Sequence, residues 1–275
     1  MNRNRIDTIH LRDSRAYVVA ALALIAVSMP LAACGEEGPA NGGTTPWSNA
    51  RQLVLVTTSD WNSSEGTLRT FARTGDSWDI AISAVPVVIG RAGSAWGIGL
   101  HPPQPGPQKQ EGDGRSPAGV FALGTAFGYA DSVDTLLPYT PIDADHWCID
   151  VSESKLYNRI VDASEAGADA IAGSTEPMRR DLHLGGDQLY KLGFVIEHNP
   201  DSKARAGSCI FAHLWNSADS STAGCTAMAE PEMQKLLAWL RPDAHPLFVL
   251  LPQPQYERLR SAWGLPVLKP ERQAD

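Results

Sequence analysis

The chain has 275 residues, 43% hydrophobic and 20% charged, so it can bury a sizeable core in one globular domain or two small ones. Its formal net charge of −8 argues against a nucleic-acid partner and leaves no polybasic patch for anionic lipid.

The first 33 residues read as an export signal. Arg3, Arg5, Arg12 and Arg15 make a basic segment, residues 16–29 an apolar one, and Leu31-Ala32-Ala33-Cys34 closes it. The apolar part falls short of the about 20 residues a membrane-spanning helix needs. Leu-Ala-Ala-Cys resembles a bacterial lipobox, which implies cleavage before Cys34 and acylation of that cysteine. A secretory signal cut after Ala33 and an uncleaved anchor are the alternatives. Acyl chains add about 0.8 kcal/mol of membrane affinity per buried methylene, so two or three of them hold a protein durably. Residues 34–50, rich in Gly, Pro, Asn and Thr, then predict a lipidated cysteine and flexible tether, with the folded domain over 51–275.

Within that domain, residues 52–58 and 66–73 are short and β-branched and predict strands. Gly75-Asp76 predicts a hairpin turn into a third strand over 78–82, and 84–89 predicts a fourth. The run 101–107 holds four prolines, which lack the N–H a sheet interior requires, and predicts a loop. Residues 111–121 read as a turn feeding a core strand, with Glu111 and Asp113 as turn residues. Residues 130–172 are irregular, and His146 and Asp150 there are expected to be structural. A strand within 189–199 ends on His198 and Asn199, read as a hydrogen-bonded structural pair. Met233, Leu236, Leu237 and Leu240 recur at helical spacing between Glu230-Pro231-Glu232 and Arg241-Pro242, and residues 245–252 form a closing strand. The fold class expected is mainly β, a curved mixed β-sheet or sandwich with one or two packed helices.

The chemistry concentrates in residues 207–228. An apolar run, Ile210 to Ala212, delivers His213 at its end, and a polar loop returns to Gly224-Cys225. A free thiol of pKa about 8.5 is only a few per cent thiolate at neutral pH, and a neighbouring imidazole that takes the proton raises that fraction. Glycine permits a sharp turn and close approach, so the N–H groups of Gly224 and Cys225 are candidate oxyanion donors. The helix opening a few residues later would aim its positive end toward the thiolate. Taken singly, a buried histidine and cysteine are more often core residues.

The surrounding pattern resembles the YkuD-type L,D-transpeptidase catalytic domain, whose signature is a histidine, a spacer and then Ser/Thr-His-Gly-Cys. His213 and Thr222-Ala223-Gly224-Cys225 match it, with Ala223 where the commonest form has histidine. Gly207 to His213 is similar to the Gly-Ser-Ala-Ile-Phe-x-His of the Thr-Ala-Gly-Cys branch, with Cys209 in place of alanine. Residues 112–121 resemble the family's Gly-Asp-x-x-Thr-Pro-x-Gly-x-Phe, and Cys148-Ile149-Asp150 and Tyr157-Asn158 extend the likeness over most of residues 50–255.

The resemblance implies a monomeric enzyme that needs no cofactor and no metal, with peptidoglycan stem peptides as its partner. Cys225 would be the nucleophile and His213 the base, steadied by a backbone carbonyl, with Thr222 and Ser208 beside the substrate. The thioester on Cys225 would release D-alanine and yield a crosslink or exchange product. An L,D-carboxypeptidase on the same stems and a non-catalytic cell-wall-binding lipoprotein are the alternatives, all on the periplasmic side of the cell envelope. Ala227 stands where an arginine often follows the cysteine, so recognition of a substrate carboxylate must come from elsewhere. A zinc site on His198, Cys209, His213 and Cys225 lacks a paired-cysteine spacing. If Cys225 is the nucleophile, Cys148 and Cys209 are the pair left to form a disulfide; two buried free thiols are the alternative.

Overall fold

The short β-branched runs pair into one closed sheet in the computed structural model, which describes residues 45–268. The expected signal peptide, the acylated Cys34 and the first part of the tether lie outside the described residues. In chain order come β1 (Gln52–Thr58), β2 (Glu65–Thr74), β3 (Ser77–Ile80), β4 (Val85–Val88), β5 (Ser94–Trp96), β6 (Ser116–Gly128) and β7 (Tyr139–Pro141). Then follow β8 (His146–Cys148), β9 (Ile160–Asp162), α1 (Ala163–Ala166), β10 (Glu176–Pro177), α2 (Arg180–His183), β11 (Leu192–Ile196) and β12 (Phe211–Leu214). The last are β13 (Thr226–Met228), α3 (Glu230–Trp239), β14 (Leu247–Pro252) and α4 (Gln253–Leu259).

Eight strands run β1-β14-β6-β11-β12-β13-β4-β2, and β2 returns to β1 to close the ring. β1 lies parallel to β14 and β12 parallel to β13; the other ring neighbours are antiparallel. The fold is mainly β, as the turn signals and short apolar runs predict, and closure leaves the ring without open edges. β1 and β14 read as unbroken apolar runs because they are buried on both faces, with α4 lying over them. α3 sets Met233, Leu236 and Leu237 inward at helical spacing against β11 and β12. α1 and α2 are single turns with no buried residue.

The structure departs from expectation in two places. Trp47 and Ala50 are core residues, 5% and 1% exposed, and the Trp47 indole donates to the Trp263 carbonyl at 3.1 Å. The domain therefore begins inside the segment assigned to the tether. One large aromatic decides this, since burying a Trp is worth on the order of 4 kcal/mol by apolar area, enough to order the few residues around it. The expected irregular region contributes β8 and β9 to a small antiparallel sheet that β10, just beyond it, completes, while β7 pairs with β6.

Cys148, at the end of β8, is bridged to Cys209 in the loop before β12, with Cα atoms 5.9 Å apart. Cys225 is the free cysteine among the described residues. The bridge spans a sequence separation of 61 residues. A loop of that size restricts the unfolded chain by roughly 4 kcal/mol in the chain-entropy treatment. Cys148→Ser is expected to lower the urea midpoint of unfolding accordingly. Dithiothreitol should bring the wild type to the same midpoint and leave the variant unmoved.

Candidate active site

The register of two strands places the thiol and the imidazole. In the parallel pair β12–β13, Ala212 lies opposite Thr226 and His213 opposite Ala227, which sets Cys225 level with Phe211. Residues two apart on a strand share a face, so Cys225, Phe211 and His213 project to the same side. The Phe211 N–H donates to Cys225 Sγ at 3.3 Å, and the thiol itself reaches the Cys209 carbonyl at 3.4 Å. The Cys225 carbonyl is held by the hydroxyls of Ser116, at 3.1 Å, and Thr222, at 2.6 Å. These contacts tie the Cys225 backbone to the start of β6.

Cys225 and His213 line one cavity of about 410 Å³, together with Tyr190, Glu176, Arg180 and Thr222. Both lie at its floor, 7% and 4% exposed. His213 Nδ1 sits 2.6 Å from the Leu214 carbonyl. A carbonyl only accepts, so Nδ1 carries the proton and Nε2 is left as the acceptor nitrogen. Burial pushes the Cys225 thiol up to about 12, against a smaller opposing hydrogen bond from the Phe211 N–H. Burial also pushes His213 down to about 4, opposed by its bond to Leu214. In the resting state Cys225 is a neutral thiol that donates to the Cys209 carbonyl and not to His213, and His213 is a neutral imidazole. The helix expected to favour the thiolate is set back, because β13 stands between Cys225 and the start of α3.

The other predicted site residues take structural roles around this pair. The Gly224 N–H donates to Thr222 Oγ1 at 3.1 Å, so this expected oxyanion donor is engaged in the turn, and the Thr222 hydroxyl is committed to the Cys225 carbonyl. Ser208 lines the cavity with its hydroxyl on Glu111 at 2.7 Å. Glu111 also receives the Tyr157 hydroxyl, while Asn158 Oδ1 accepts from the Cys209 N–H at 2.9 Å, which fixes the loop ahead of β12. Asp113 holds Lys109 at 2.5 Å in its turn, and Asp150 accepts from Ser174 and Thr175. His198 accepts from the Ile98 N–H at 3.2 Å and donates to the Ala206 carbonyl at 2.9 Å, the structural role expected of it. With Cys209 oxidised and both His198 nitrogens engaged, the four-residue zinc set does not form. Elsewhere Asp143, His146 and Asp162 bring ligand atoms within 4.8 Å of one another, with His146 bonded to Asp143 and Asp162 capping α1.

A second layer of the cavity has no counterpart in the sequence reading. The Tyr190 ring meets the His213 ring edge-on at 5.1 Å between centroids, and its hydroxyl donates to Glu176 at 2.6 Å. Arg180 donates to Glu176 at 2.9 Å and twice to Asp187, at 2.8 and 3.0 Å, and lies over the Tyr190 ring at 4.9 Å. Glu176 is held above the usual carboxylate range by burial, with the bonds from Tyr190 and Arg180 opposing. These residues come from β10, α2 and the turn before β11, within a sequence separation of 14, but their spacing matches no motif that marks them as a set.

Two measurements follow from the neutral pair. Alkylation of Cys225 by iodoacetamide, followed on its own peptide by mass spectrometry, should climb with pH through 9; a plateau between pH 5 and 8 would mean a preformed ion pair. His198 and His213, both driven to about 4 by burial, stay neutral in the fold while the unfolded chain takes up protons below about pH 6.5. Their stability contribution is complete above that pH and is lost as pH falls toward 4, whereas Glu176 and Glu197, held up by burial, act in the opposite sense. Urea midpoints between pH 7.5 and 5 should fall more shallowly for His198→Gln than for wild type. No family model, curated protein or solved structure matches this chain.

Proposed function

We propose that the protein is a cysteine acyltransferase acting on peptidoglycan stem peptides, an L,D-transpeptidase. The observation that carries the reading is a free thiol and an imidazole of set tautomer on one face of β12–β13, at the floor of one cavity, with the other two described cysteines bridged. Cys225 Sγ attacks the carbonyl of the third stem residue while His213 Nε2 takes the thiol proton. Because both groups are neutral at rest, proton transfer accompanies formation of the C–S bond. The imidazolium then returns its proton to the departing amine of D-alanine, leaving a thioester. An incoming amine adds to that thioester, loses its proton and restores the thiol, which gives a crosslink or exchange product.

The cation missing beside Cys225 is supplied, in this reading, by Arg180, whose guanidinium lines the same cavity. Its charge is shared with Glu176 and Asp187, so it orients a substrate carboxylate at the cavity wall without being an isolated positive charge. The same reading tethers the domain through acylated Cys34 on the periplasmic side of the cell envelope. Among the described residues no helix is long and apolar enough to cross a membrane.

The test is covalent capture. Incubation with a carbapenem should add one drug mass to the intact protein, and Cys225→Ala should abolish the addition. His213→Ala should slow acylation by about 10² to 10⁴, the usual range for loss of a positioned base. No adduct on folded wild-type protein would leave a cell-wall-binding role as the better account.

A further inference from the structure

A second cavity, also about 410 Å³, lies beside the first, and neither Cys225 nor His213 lines it. Cys148 lines this cavity and its partner Cys209 lines the active-site cavity, so the disulfide runs in the wall between them. Phe127, Ile142, Ile160 and Phe211 give it an apolar lining. Five ionisable groups reach it, of which His198 is engaged at both ring nitrogens. His146 and Asp162 are engaged, the one with Asp143 and the other with Ser164. Glu197 and Arg159 make no side-chain hydrogen bond, and no ion pair within 4 Å, among the described residues.

The backbone is shaped to put the Glu197 carboxylate there. Phe194 of β11 faces Ala126 and Ile196 faces Leu123, so β6 takes up an extra residue around Gly124 and Thr125, a bulge of the kind that re-aims side chains. The Glu197 N–H is tied to the Ala122 carbonyl at 3.1 Å. Its carboxylate then lies over Gly124, where an added Cβ would come within 2.1 Å of Oε1. Partial burial raises the Glu197 carboxyl, and the nearby Arg159 charge opposes that only as the smaller influence. A half-buried carboxylate without a hydrogen-bond donor gives up part of its hydration and recovers none of it from the protein.

We propose that this cavity binds a free α-amino acid, with its ammonium on Glu197, its carboxylate on Arg159 and its side chain on the apolar lining. One charge of each sign without a hydrogen-bond partner, beside the side chains of Phe127, Ile142, Ile160 and Phe211, is the complement of a zwitterion, whereas a simple amine leaves Arg159 unused and a simple acid leaves Glu197 without a donor. The volume falls in the range of small-molecule sites and admits a dipeptide as the larger bearer of the same charges. The inference does not rest on the catalytic reading.

Isothermal titration of the full chain with D-alanine, L-alanine and alanyl-alanine tests it. At least one should bind saturably with Kd of about 1 mM or tighter, and propylamine and propionate about tenfold or more weakly. Glu197→Gln and Arg159→Gln should each weaken binding by about tenfold, and Gly124→Ala should do so by displacing the carboxylate without changing charge. Arg159 is exposed, so that variant reports even if the other two prove unstable. Alkylation of Cys225 should leave the binding unchanged. Absence of saturable binding, insensitivity to Arg159→Gln, equal affinity for propylamine, or loss of binding on Cys225 alkylation would each overturn the assignment.

Discussion

The parallel seam between β12 and β13 is the constraint on which the candidate site depends. With Ala212 opposite Thr226, His213 and Cys225 share a face, and the Phe211 N–H points at the sulfur. A slip of one residue would send one of the two side chains to the opposite face. The ring holds that register from both sides, β11 pairing with β12 and β4 with β13. The mainly β frame and the chemistry are thus one arrangement, since closure of the sheet is what keeps the seam from sliding.

Burial then decides the character of the pair. Sunk at the cavity floor, the thiol resists losing its proton and the imidazole resists gaining one. The Leu214 carbonyl fixes which nitrogen is available, so the site trades a ready thiolate for a defined geometry. Around it the Tyr190–Glu176–Arg180–Asp187 chain satisfies buried polar groups one by one and brings a guanidinium to the cavity beside the sulfur.

What the sequence revealed follows the range of the interactions. Local signals carried the strands, the hairpin at Gly75-Asp76 and the inward stripe of Met233, Leu236 and Leu237, because pleat and helix period are written into neighbouring residues. His213 and Cys225 stand out in the sequence as a histidine closing an apolar run and a cysteine after glycine, and the structure sets them at the two ends of one loop between β12 and β13. Tyr190, Glu176 and Arg180 do not stand out, since they fall in short irregular segments whose approach to His213 is a tertiary contact that no period announces. The Cys148–Cys209 pairing was one of two open possibilities, and only proximity in space decides it. Trp47 was misplaced because composition averaged over a Gly- and Pro-rich run hides a single aromatic able to anchor its neighbours.

The bridge to Cys209 has a consequence for when the site exists at all. It clips the small β8–β10 sheet to the stretch that leads into β12, and Cys209 itself holds a left-handed backbone conformation that non-glycine side chains disfavour. In a reducing compartment that clip stays open, leaving the approach to His213 to hold its shape by hydrogen bonds and the packing of Ile210 and Phe211. Order in the wall of the groove is thereby coupled to oxidation, so a newly made polypeptide carries Cys225 and His213 before it owns the bridged wall beside them.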